Sequence, residues 1–201
     1  MALTKTDVAN AALIKLGSQK LIAALTDETP TASVLNSAIE RCKLAVLRLH
    51  PWNFAIKRAT LAASSTEPEF GYSYQLPLPS DFVRIAGIVD GPSEDYRIEG
   101  RMLLCDSDEV QLRYVYDIGD DFSSCDPLFM EALACYLAHD VCYAVTQSVE
   151  MKDRVMQDLR GLLAKARFVD ACDEPLPVLG ATDWLESRFG GQSVYPDRVL
   201  S

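Results

Sequence analysis

Clustered positive charge is missing from this sequence. Nineteen Lys and Arg stand against 29 Asp and Glu, a formal net charge of −10. A protein that grips nucleic acid needs a basic patch to displace phosphate counterions, and no such cluster is present. Tight DNA binding is therefore disfavoured, while passive contact with a passing duplex is compatible with the charge. Long apolar runs are missing too. No stretch of about 18 apolar residues occurs, which argues against a transmembrane helix. The opening MALTKTDVANAAL carries Lys5 and Asp7 and no apolar core before a cleavage site, so no secretory signal is expected.

Chemistry-bearing patterns are equally scarce. There are two histidines, His50 and His139. His139 precedes Asp140, but adjacent helix residues point about 100° apart and cannot orient one another. His139 is expected to be buried or half-buried on a backbone partner, and His50 to sit at a helix end favoured by the dipole. No phosphate loop, nucleotide fingerprint, zinc spacing or Gly-x-Ser-x-Gly elbow occurs. The acids of DSDE (106–109) and DIGDD (117–121) lie close together but lack a calcium loop with a late bidentate Glu. The six cysteines (42, 105, 125, 135, 142, 172) form no CxxC pair. Cys135 and Cys142 would lie about 10 Å apart along a helix, beyond the roughly 7 Å a disulfide spans. All six are expected to be reduced, mostly buried, in a cytoplasmic protein. The expectation is a protein that is not an enzyme and holds no metal or cofactor.

What is present is a clear alternation of periodicities. Thr4 with Asp7 opens a helix over about 6–16, closed by Gly17. Thr29-Pro30 opens a second, whose stripe Leu35, Ile39, Cys42, Val46, Leu49 marks one apolar face and which Pro51 ends. Asp126-Pro127 opens a third, apolar nearly all round and expected at the centre. A fourth, over about 149–172, places Val155, Leu159, Leu162, Ala166 and Val169 on one face; the short link makes it antiparallel to the third.

Between the second and third helices the period becomes two. FGYSYQL, FVRIAGIV, the hairpin YRIEGRMLLC with Gly100 in its turn, and VQLRYVY give about five strands over 70–116. The fold class is thus α+β: a bundle of about four helices (1–65 and 122–175), an inserted small antiparallel β-sheet or barrel lobe (66–121), and an extended C-terminal arm (176–201). Between Asp90 and Asp121 ten acids face three bases, so most of the negative surplus belongs to the β insertion.

LRLHPWNFAIKR (47–58) breaks a helix and spends two large aromatics at once. Pro51, Trp52 and Phe54 are expected to wedge the junction between bundle and β lobe; the alternative is that Trp52 anchors a neighbouring subunit. The arm carries Trp184, Leu185, Phe189 and Tyr195, more apolar surface than a solvated tail should show. Either it folds back on its own bundle, or it lies on another subunit or partner.

The phrases HPWNFAIKRATLA, FGYSYQLPLPSDFVRI, YRIEGRMLL, DPLFMEALACYLAHDVCYAVTQS and ARFVDACDEP, in this order, resemble the tail tubular protein A family of short-tailed bacteriophages. The resemblance covers about residues 8–175. It implies a head-to-tail adaptor, a twelve-membered ring between portal and tail nozzle through which DNA passes, found in the virion and, during assembly, in the host cytoplasm. It brings no cofactor. On that reading Asp106, Asp108, Glu109, Asp117, Asp120 and Asp121 are candidates to line the DNA passage, repelling phosphate. An alternative is a virion-associated glycan hydrolase using acids of the β lobe, which needs two carboxylates about 5–9 Å apart. A third is a cytoplasmic binding module with no virion role.

Overall fold

The computed structural model describes residues 4–89 and 95–172. Helix α1 (Lys5–Lys15) starts where the sequence signals it: Thr4 and Asp7 form a reciprocal capping box. It ends in a Schellman motif, with Gly17 N–H on Ile14 O, Ser18 N–H on Leu13 O, and Gly17 at φ +74°. The following loop is pinned by Asn10, whose amide donates to Ile22 O and accepts from Ile22 N, both at 3.0 Å.

Helix α2 (Pro30–Leu49) is capped by the Thr29 hydroxyl and α3 (Pro127–Thr146) by the Asp126 carboxylate, each with proline at the first position. Helix α4 (Val149–Cys172) returns antiparallel after Gln147, which takes the left-handed conformation, and Ser148, whose hydroxyl accepts from Met151 N. Helix α3 packs against α1, α2 and α4. Phe129, Leu133, Leu137 and Ala138 are fully enclosed, so α3 is the central helix. By length and mean hydropathy α3 would pass for a membrane span, but over half of it is buried among its neighbours.

Two residues of the expected stripes leave the core. Leu49 and Val169 are exposed. Lys43, which no apolar stripe predicts, is fully buried instead.

Six strands are described where about five were expected. The extra one, β1 (Ile56–Ala62), begins directly after the corner, inside the stretch read as bundle. With β6 (Glu109–Tyr116) and β3 (Phe82–Ile88) it forms a sheet of order β1-β6-β3. The second sheet has order β2-β5-β4, from Tyr74–Pro77, Met102–Cys105 and Arg97–Glu99. Every pairing is antiparallel. The hairpin turn is Gly100-Arg101, both at positive φ (51° and 66°), the backbone a primed two-residue turn demands. Arg101 holds this conformation while its guanidinium donates to Pro79 O and Ser80 O at 2.7 and 3.0 Å.

The two sheets face each other over Leu61, Leu76, Leu103, Val110, Leu112 and Tyr114. This core is separate from the bundle's. Strand β6 serves both, as period two dictates: Leu112 and Tyr114 point into the lobe, and Val115 points into the bundle. Tyr116 packs against each.

Candidate functional site

The corner after α2 is built from ring packing and one carboxylate. His50 is already extended (φ −147°, ψ 144°), as a residue before proline must be. Trp52 is wholly enclosed, its Nε1–H donating to Val46 O at 3.1 Å. The Phe129 ring meets it edge-on at 5.3 Å, and Phe54 meets Phe129 at 5.0 Å. His50 stacks perpendicular to Trp52 at 5.0 Å. Trp52 therefore belongs to its own chain's core and offers no surface to a neighbour.

The far end of α4 closes the corner. Asp170 Oδ2 lies 2.6 Å from His50 Nε2, Asp170 Oδ1 accepts from Asn53 N, and Asp170 O accepts from Asn53 Nδ2 at 2.8 Å. Arg167 adds a bond to Leu49 O. Beside this corner Arg48 donates to Val83 O and Arg84 donates back to Arg48 O, both at 2.8 Å, stitching α2 to β3. Sequence reasoning took His50 as a helix-end residue and missed its partner, 120 positions away.

The six acids proposed for a channel wall do not come together. Asp106, Asp108 and Glu109 sit at the β5–β6 turn, and Asp117, Asp120 and Asp121 beyond the other end of β6. Eight extended residues between them span about 25 Å, so no carboxylate pair of glycosidase spacing joins the two groups. At the first end Asp106 accepts from Ser73 N and Oγ, while Asp108 and Glu109 are exposed. At the second, Lys43 Nζ is held by Asp117 at 2.9 Å, Glu40 at 2.8 Å and Gly119 O at 2.8 Å. Lys5 bridges Glu40 and Asp120. Asp121 caps Ser123. These lysines clasp the turn after β6 to α1 and α2, pairing with Asp117 and Asp120. Burial works against charge on Glu40, but hydrogen bonds and charge from Lys43 and Lys5 prevail and hold its carboxyl below the usual range.

His139 is half-buried, and burial, aided by nearby Lys152, holds its imidazole below its ordinary value. The six cysteines are free thiols. Burial pushes Cys42 and Cys125 up to about 12, so neither is a ready thiolate.

Large apolar side chains reach solvent on both lobes. On the β side Phe70 is 87% exposed, and Val89 and Ile98 are open as well. On the bundle Phe168 is 72% exposed beside Val169 and Leu49, where α4 leads out. At its opposite end stand Tyr143 and Val149. A groove of about 420 Å³ runs between α1, α3 and α4, rimmed by Ile14 and crossed by the Lys15–Glu131 ion pair at 2.7 Å. Trp184, Leu185, Phe189 and Tyr195 of the expected interface lie outside the described residues.

Compared with known proteins, the chain matches no family model and no curated protein.

Proposed function

We propose that this chain is a structural adaptor subunit of a short-tailed phage virion, joining portal to tail nozzle in a homo-oligomeric ring through which DNA passes. The reading starts from the ordered sequence resemblance over about residues 8–175. The structural observation that carries it is the distribution of exposed apolar side chains: Phe70 on one lobe and Phe168 on the other, each beside different neighbours. A ring of identical copies needs two unlike surfaces per subunit, because head-to-tail contacts are heterologous. Separate bundle and β cores, joined at the Trp52 corner and the Lys43 clasp, supply two such surfaces on one subunit.

In this reading the acidic face toward DNA is the β5–β6 turn with Asp106, Asp108 and Glu109. Asp117 and Asp120 contribute less, since each is paired with a lysine. Residues 176–201 then serve as the arm that docks on the portal. The test is electron microscopy of the purified protein mixed with portal and nozzle proteins. Rings on the portal are expected, lost on truncation at residue 175 while the fold persists. Protein that stays monomeric beside both partners and is absent from mature particles overturns the proposal. A truncated protein that still docks overturns the arm's role alone.

A further inference from the structure

Arg58 on β1 and Arg113 on β6 are direct cross-strand partners. Residues so paired share a face, with Cβ atoms about 5 Å apart, and like charges placed this way repel. One step along the same face Thr60 is paired with Gln111. On the other flank of β6 the partner of Arg113 is Gly87, at a register shift in β3. Gly87 has no side chain, and a Cβ there would meet nothing within 4 Å, so the face is uncovered at this point. The result is a recess of about 140 Å³ bounded by Arg58, Thr60, Gln111, Arg113 and Val89. None of its described lining residues bears a carboxylate; the same-face acid on β6, Glu109, stands two residues beyond Gln111.

We propose that this recess is an oxyanion site that takes a phosphate group between the Arg58 and Arg113 guanidiniums. Guanidinium forks match tetrahedral and carboxylate oxygens with paired donors, and such charge-assisted bonds are the strong ones. Arg113 is engaged within the chain, but a guanidinium carries five donors and retains some for a second acceptor. The Thr60 hydroxyl and Gln111 amide add neutral donors. This inference is independent of the adaptor reading. The group's source is either free phosphate or a nucleic-acid backbone.

The test is a titration of the ¹⁵N-labelled full chain with inorganic phosphate at constant ionic strength, with chloride as control and a short DNA duplex as a separate arm. Saturable shifts are expected at residues 58–60, 87–89 and 111–113, with phosphate affinity about tenfold weaker in Arg58→Gln. The melting temperature of the wild type should rise in phosphate over chloride, and that of Arg58→Gln should not. Duplex binding lost in Arg58→Gln assigns the source to a nucleic-acid backbone; phosphate binding without it assigns a free oxyanion. Equal shifts in chloride, or an undiminished phosphate response in Arg58→Gln, overturn the site.

Discussion

His50 Nε2 and Asp170 Oδ2 stand 2.6 Å apart, joining the end of α2 to the last turn of α4 across 120 residues. The same carboxylate accepts from the Asn53 backbone, so one side chain fixes both the helix end and the chain's entry into β1. Both partners are largely shielded, with side-chain exposures of 15% and 13%. Asp170→Ala leaves two donors without their acceptor. We expect a loss of about 1–3 kcal/mol in urea unfolding. A double-mutant cycle with His50→Gln should show positive coupling; strictly additive effects would mean that the contact is incidental.

Trp52 carries the corner's packing. Trp52→Ala should cost about 3–5 kcal/mol, the range for large aromatics removed from cores. Trp52→Phe keeps the contact with Phe129 but strands Val46 O, and should cost less. Denaturant midpoints measure both, and a Trp52→Ala protein as stable as wild type would contradict the burial.

Lys43 is the buried member of the clasp. Lys43→Met keeps the volume but leaves Asp117 without its cation and Glu40 with Lys5 alone. Because both carboxylates reach solvent, a loss of about 1–3 kcal/mol at neutral pH is expected rather than the larger cost of a fully buried pair. The pH dependence follows from Glu40, whose folded pKa lies below its ordinary 4.5. Its contribution is complete above that value and is lost as pH falls through the lower folded one. Lys43→Met should therefore lose stability less steeply as pH falls below 4.5. Parallel acid limbs for the two proteins would assign the acid sensitivity elsewhere.

Tyr114 should be a late-titrating tyrosine. Burial, and then the Asp81 carboxylate 3.1 Å from its hydroxyl, push it up to about 12 from 10.0. The raised value favours the neutral phenol, so its contribution is complete below pH 10.0 and lost as pH climbs toward about 12. Ultraviolet alkaline titration should show this late step vanish in Tyr114→Phe and move earlier in Asp81→Asn.

Thiol reactivity should be graded. Cys172 is exposed, Cys125 half-buried and the other four buried. A thiol reagent on native protein should modify Cys172 first and reach all six only after unfolding. Rapid native modification of Cys42 or Cys105 would mean that the bundle or the β lobe opens readily.

Local signals carried much of the architecture. Thr4 with Asp7, Thr29-Pro30 and Asp126-Pro127 start helices because each cap bonds within three residues of itself. The Gly100 turn was legible for the same reason. Strand β1 was not: in IKRATLA the adjacent Lys57 and Arg58 are both exposed, so alternation is blurred, and only pairing with β6 makes the segment a strand. The acidic run was legible as composition and misleading as geometry, because an eight-residue extended strand divides it.

Taken alone, the sequence determined the α+β class, the helix boundaries, the central place of α3 and the identity of Trp52 as a buried corner residue or an anchor. Periodicity and capping are short-range and survive without a partner element. The tertiary structure decided that Trp52 faces inward, that Lys43 is buried among carboxylates, that His50 meets Asp170, and that Arg58 opposes Arg113. Each is a contact between side chains distant in sequence, set by register and packing that no local pattern encodes.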